Sequence, residues 1–113
     1  MQHYFITGTS TGIGNALATA LLQRSNTHIV GLGRSCTIEH ERYTHHTIDL
    51  SIPEAAKTYE FEVPATATKI VLINNAGTLG EVGPLGAVAD EAIEQAFYLN
   101  LIAPAVLMNR FAQ

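Results

Sequence analysis

Residues 7–14 read Thr7-Gly8-Thr9-Ser10-Thr11-Gly12-Ile13-Gly14, a glycine-rich turn that follows the apolar run 3–7 and opens an amphipathic helix. Gly8 lets the backbone turn sharply out of a strand, Gly12 keeps side-chain atoms away from an approaching phosphate, and Gly14 lets the helix pack close to the sheet. The free N–H groups and positive end of a helix starting near Ile13 then face the ligand. The turn reads as a phosphate cradle of spacing Gly-x-x-x-Gly-x-Gly, distinct from the commoner Gly-x-Gly-x-x-Gly. By itself the spacing is weakly specific, and a flexible strand-to-helix loop would look the same, so the surrounding pattern has to decide.

That pattern alternates. Run 3–7 is aromatic and β-branched and ends at Gly8, as a central parallel strand should. From Ile13 the apolar positions Leu17, Ala20 and Leu21 recur at helical spacing until Arg24-Ser25-Asn26. A second strand is expected over 28–33, with Arg34-Ser35 directly after it, and a polar edge strand over 43–50. Ser51-Ile52-Pro53-Glu54 reads as a capping box opening a helix to about residue 61. Within residues 69–74 the run between Lys69 and Asn74 is continuously apolar and rich in β-branched residues, the composition of a central strand covered on both faces. A glycine-rich loop then leads to Asp90, read as an N-cap, and to a helix over 91–112. That helix is apolar almost all round from Ala96 to Met108 with Asn100 as its polar exception, and is expected to be buried. Right-handed crossovers make this an α/β chain with a parallel sheet ordered 3-2-1-4, the N-terminal half of a Rossmann-like doubly wound fold.

The 113 residues make one domain at most, here a partial nucleotide-binding domain over 1–113. Charged residues are 14% and hydrophobic residues 47%, so little solvated surface is available and an associating face, hence a homo-oligomer, is expected. A net charge of −4 with no Lys/Arg cluster argues against nucleic acid or an anionic membrane as partner. The longest apolar run, 101–108, contains a proline and is far short of the ~20 residues of a membrane span. The N-terminus lacks the pattern of a signal peptide, and Cys36 is the only cysteine, so a cytoplasmic, reducing setting is expected. His45 and His46 are adjacent on a strand and point to opposite faces, while His40 sits in a polar loop, so no metal site is expected.

Taken together, Thr7-Gly8-x-x-x-Gly12-Ile13-Gly14, Arg34 after the second strand, Asp49-Leu50 after the third, Asn74-Asn75-Ala76-Gly77 after the fourth and Asn100 in the next helix resemble the short-chain dehydrogenase/reductase family over essentially the whole chain. Within it, Asn74-Asn75-Ala76-Gly77-Thr78-Leu79-Gly80 and Asn100-Leu101-Ile102-Ala103-Pro104 look like the sepiapterin reductase and benzil reductase branch. The resemblance implies hydride transfer between a nicotinamide and a small-molecule carbonyl or alcohol. It assigns the cofactor to Gly8, Ser10, Thr11, Gly12, Ile13, Gly14, Arg34, Ser35, Asp49, Leu50, Asn75, Ala76 and Gly77. No Asp or Glu ends the second strand, where one would hold the ribose of NAD, and the guanidinium of Arg34 suits a 2′-phosphate, so NADP(H) is expected. Asp49 and Leu50 are implied at the adenine, and Asn75 both ties strand ends and lies beside the cofactor.

Asn100 is the catalytic residue the resemblance implies, its main-chain carbonyl holding a water that links to a catalytic lysine. In an α-helix that carbonyl would bond the N–H of residue 104, and Pro104 has none, so a local bend and an exposed acceptor are expected there. The family's Ser and Tyr-x-x-x-Lys are missing: Tyr4, Tyr43, Tyr59 and Tyr98 have no lysine four residues on. The expected enzyme is therefore the parent, a carbonyl reductase acting on a ketone or pterin-like carbonyl, with this chain as its inactive cofactor half. The alternative is a short, non-catalytic protein that binds nucleotide or a partner.

Overall fold

The structure is a computed structural model that describes residues 1–78, 83–84 and 86–113. It divides into two compact units, Met1–Ile48 with Phe61–Ala76 and Asp49–Glu60 with Gly77–Gln113.

The first unit holds β1 (Gln2–Thr7), α1 (Gly12–Leu22), β2 (Thr27–Gly33), β3 (Tyr43–Thr47) and β4 (Lys69–Ile73). The strands form one parallel sheet in the order β3-β2-β1-β4, as the alternating pattern predicts. β1 is central because residues 3–7 are buried on both faces. Tyr4, Ile6 and Ile29 on one side pack with Ala18 and Leu22 of α1, while Phe5 meets Phe61 edge-on at a centroid distance of 5.0 Å. Each such side chain contributes about 1.5–3 kcal/mol by leaving water. The C-terminal end of α1 has no basic residue of its own. Arg42 supplies one from outside, its guanidinium donating to the carbonyls of Leu22 (2.7 Å), Arg24 (2.7 Å) and Thr27 (2.8 Å), which meets acceptors the helix end leaves open.

The second unit holds α2 (Pro53–Thr58), α3 (Asp90–Phe97), a π turn (Tyr98–Ile102) and α4 (Ala103–Phe111). α2 packs on α4, and Arg110 Nε donates to the Tyr59 carbonyl at 2.9 Å. Tyr98 Oη donates to the Pro53 carbonyl.

Several expectations are corrected. β3 ends at Thr47, not residue 50, since only the Ile48 N–H still reaches Gly33 before the chain turns. The capping box fails: the N-cap is Ile52, and the Ser51 main-chain N–H and hydroxyl both donate to Asp49 Oδ1, at 3.0 and 2.6 Å. A carboxylate two residues back is a stronger acceptor than a hydroxyl, so it captures both donors and the helix starts later; it ends at Thr58, short of residue 61. Asp90 is the first helical residue with Ala89 as N-cap. β4 lies at an edge of this sheet rather than its centre, with Ile70 46% exposed. The last helix is not buried either: only Ala103 and Leu107 are, while Phe97, Leu101 and Met108 stand 62%, 61% and 54% exposed. Leu79 and Gly80 of the branch motif, and part of the loop before Asp90, lie outside the described residues.

Candidate functional site

In the first unit β1 delivers the chain into the glycine-rich turn through two residues that need left-handed backbone, Gly8 at φ +73° and Gly12 at φ +62°. Among the described residues a Cβ on Gly12 would meet no atom within 4 Å, so its outer side is open. Gly14 is the opposite case: a Cβ there would lie 2.1 Å from the Gly8 carbonyl oxygen and 2.5 Å from Asn75 Nδ2. Its bare Cα is what allows α1 to approach the end of β1. Thr11 is the N-cap residue of α1 but makes no side-chain cap, so its hydroxyl does not take up the N–H groups of the first turn. Ile13 is 78% exposed.

The turn is held from two sides. The Thr7 hydroxyl accepts from the main-chain N–H groups of both Asn75 and Ala76 at 2.9 Å, and Asn75 Nδ2 donates to the Gly8 carbonyl at 3.1 Å. Asn75 therefore ties the ends of β1 and β4 together. On the other side Ser10 Oγ donates to the Ser35 carbonyl at 2.5 Å, Thr37 Oγ1 donates to the Ser10 carbonyl at 2.8 Å, and Asn15 Nδ2 donates to Thr37 Oγ1 at 3.0 Å. Arg34 stands at the end of β2, exposed, and among the described residues its guanidinium has no hydrogen-bond or ion-pair partner. Asn74 Oδ1 is buried and without a partner among the described residues.

In the second unit Asp49 accepts from Ser51 as described, and Leu50 is buried. Asn100 sits in the π turn and grips the main chain of Thr78 at two points, Oδ1 accepting from its N–H at 2.8 Å and Nδ2 donating to its carbonyl at 2.7 Å. A Cβ on Gly77 would come 3.2 Å from that Oδ1, so the glycine makes room for the grip. The Ala103 N–H donates to the Tyr98 carbonyl, five residues back. The helix thus answers Pro104 by widening one turn, which relieves the clash of a proline ring with the carbonyl four residues before it. In a turn of this width the donor that Pro104 withholds is the one Leu99 would use, as well as the one Asn100 would use in a regular helix.

Sequence reasoning missed four residues that shape this region: Thr7, Thr9, Tyr43 and His45. Thr9 is buried and lies 2.7 Å from the Tyr43 hydroxyl. No spacing rule links positions 34 residues apart, and the one local signal is Gly31, where a Cβ would fall 1.8 Å from that hydroxyl. Among the described residues no group of three or more His, Cys, Asp or Glu is placed to hold a metal ion, and no helix is long and apolar enough to cross a membrane.

A parallel sheet ordered β3-β2-β1-β4, entered through a glycine-rich strand-to-helix turn, defines the first half of a Rossmann-like fold. The sequence model described as short chain dehydrogenase matches residues 2–113, and the chain belongs to the short-chain dehydrogenase/reductase family of oxidoreductases. It is 32% identical over 119 residues to a benzil reductase ((S)-benzoin forming) of Bacillus subtilis (strain 168), an alignment covering 100% of this chain and 49% of that protein. A metagenomic short-chain oxidoreductase solved in complex with NADP superposes with a TM-score of 0.78 at 28% identity, covering 98% of this chain and 55% of the other. A 4-hydroxyisoleucine dehydrogenase complexed with NADH and succinate superposes at 0.77 and 26%, covering 96% and 50%. The chain therefore spans about half the length of the relatives it matches.

Proposed function

We propose that this chain is the adenosine-side half of an NADP(H)-dependent carbonyl reductase, a partial nucleotide-binding domain over residues 1–113. The observation that carries the reading is the turn at Gly12: left-handed backbone, open space outside it among the described residues, and a helix start whose N-cap side chain leaves the N–H groups of the first turn uncapped. Those are the requirements of a pyrophosphate site, and the chain's residues fit the group. Gly8, Ser10, Thr11, Gly12, Ile13 and Gly14 would hold the phosphates, Asn75, Ala76 and Gly77 would lie along the dinucleotide, and Asp49 and Leu50 would meet the adenine. Arg34, without a partner among the described residues, would take the 2′-phosphate, with Ser35 beside it. Solved relatives carry NADP in one case and NADH in another, so the choice rests on Arg34 and the absent carboxylate.

When bound, NADPH supplies the hydride that reduces a carbonyl carbon, the oxygen taking a proton to give the alcohol. The chain's own contribution is binding and placement. Asn100 fixes Thr78, and the widened turn around it leaves a main-chain acceptor with no N–H at 104 to meet it, which supports a water-linked proton path in the complete enzyme. No tyrosine of the chain has its lysine partner, so carbonyl reduction by these residues alone is not expected. The likeness to a benzil reductase makes an aromatic diketone the first substrate to try, and a homo-oligomer in the cytoplasm the working setting.

Fluorescence titration with NADPH and NADH tests the cofactor. NADPH should bind more tightly, and Arg34→Ala should reduce the preference about tenfold to a hundredfold, the worth of one or two charge-assisted hydrogen bonds. Equal affinity for both nucleotides in the unsubstituted protein would overturn the NADP assignment. One rival reading is a binding protein that reduces nothing. NADPH binding without diketone reduction by the protein in which this chain naturally occurs would establish it.

A further inference from the structure

β3 pairs with β2 so that Tyr43 stands opposite Ile29 and His45 opposite Gly31, which puts both aromatic rings on one face of the edge strand, stacked at a centroid distance of 6.1 Å. Leaning along its strand, the tyrosine passes its hydroxyl over Gly31, into the place where any other residue would carry its Cβ. There it lies 2.7 Å from Thr9 Oγ1, inside the glycine-rich turn, and 3.0 Å from His45 Nδ1. His45 Nε2 lies 3.0 Å from the Gly33 carbonyl, at the end of β2.

The direction of these bonds follows from donor chemistry. A carbonyl oxygen only accepts, so Nε2 carries the hydrogen and the neutral ring presents Nδ1 as an acceptor. Tyr43 then donates to Nδ1, and its oxygen accepts from the Thr9 hydroxyl. Burial raises the Tyr43 phenol above its ordinary value, more than the hydrogen bond to Thr9 lowers it, so the proton to be donated is present at neutral pH. Thr9, Tyr43, His45 and Gly33 form one chain in which each side-chain donor has an acceptor, and the Gly33 carbonyl accepts from the Ile48 N–H as well. Its two ends are the backbone of the cradle and the backbone that leads into Arg34.

We propose that Tyr43 is a positioning residue for nucleotide binding: reaching through the gap left by Gly31, it sets the height of the Gly8–Gly14 turn through Thr9 and the end of β2 through His45. This rests on the nucleotide-binding reading above. It adds a residue on the edge strand, outside the turn itself, and explains why β2 carries a glycine at 31 although no left-handed φ requires one there. A partly buried network anchored on the buried Thr9 favours one geometry, because the alternatives leave the Thr9 hydroxyl unpaired away from water.

The test measures NADPH affinity of the full chain by fluorescence titration, well below the unfolding temperature and with the fold checked by circular dichroism. Tyr43→Phe should weaken binding about tenfold, since it removes the hydroxyl bonded to both Thr9 and His45 and strands the Thr9 partner. Thr9→Val, which keeps the shape and leaves Tyr43 in place, should weaken it similarly, and Thr9→Ser, which keeps the hydroxyl, should restore it. The double variant Tyr43→Phe, Thr9→Val should lose no more than the worse single, since both break the same bond. A purely structural role would lower the unfolding temperature and leave the affinity alone. That result, or additive losses in the double variant, would overturn the inference while the nucleotide reading stands. Absence of NADPH binding in the unsubstituted chain would overturn the nucleotide reading, and the inference with it.

Discussion

At the scale of single residues, the glycines of the cradle have different reasons to be glycine, and the differences are measurable. Gly14→Ala sets a methyl group 2.1 Å from the Gly8 carbonyl, an approach that neither the strand end nor the helix can relieve without separating. It should cost stability by several kcal/mol, in the range of overpacked cores and beyond, and show as a large fall in unfolding temperature. Gly12→Ala meets no atom among the described residues, so its cost is limited to the left-handed backbone, about 1–2 kcal/mol. Its main effect should be on nucleotide affinity, because the methyl group enters the open side of the turn. Equal losses of stability in the two variants, or unchanged NADPH affinity in Gly12→Ala, would contradict this division. The glycine spacing was plain in the sequence. Which glycine served packing and which served access followed from the motif, but the role of Gly31 did not, since it depends on a tyrosine that becomes a neighbour only once β3 pairs with β2.

Whole elements show where local pattern and tertiary setting part company. Strand order, the first crossover helix and the position of the turn were legible because periodicity, glycine punctuation and handedness all agree there. Boundaries failed where two local interactions competed, as at Ser51, whose hydroxyl goes to Asp49 and not to the helix. Arg42, which closes the end of α1, was invisible for another reason: its target carbonyls come from a distant part of the sequence. Around Asn100 the sequence announced a disturbance but not its form, since a proline predicts a bend and the chain adopts a π turn over Tyr98–Ile102. Pro104→Ala restores the N–H and removes the ring, so the turn should close to regular α geometry, rotating Asn100 away from Thr78. In the complete enzyme turnover should fall more than NADPH affinity. Unchanged turnover, or a variant structure that keeps the π turn, would leave Pro104 a packing residue only.

For the whole molecule, two properties follow from what its surface and its buried groups do together. His3 and His28 face each other across β1 and β2, their rings tilted by 37° at a centroid distance of 5.4 Å. Burial lowers both below the ordinary 6.5, aided at His3 by the N-terminal ammonium and at His28 by His3 and Arg42. The unfolded chain then binds more protons than the folded one as pH falls below about 6.5, so stability is greatest above that value and declines through the lowered folded values. The unfolding temperature should drop on acidification, and replacing both histidines with glutamine should flatten the drop; an unchanged slope in that variant would assign the effect to other groups. The second property is association. Ile93, Phe97, Leu101, Ile102 and Met108 are exposed along α3, the π turn and α4, β4 lies at a sheet edge, and only 14% of residues are charged. An apolar helical surface and a free strand edge both gain by pairing, and so few charges oppose it weakly. The chain should therefore self-associate at tens of micromolar, and light scattering should show species larger than a monomer. Phe97→Glu together with Leu101→Lys places charge in the middle of the exposed surface and touches none of the buried residues, so it should shift the distribution toward monomer without lowering the unfolding temperature. A monodisperse monomer in the unsubstituted chain would show that these apolar side chains are tolerated in water and that no partner is required to cover them.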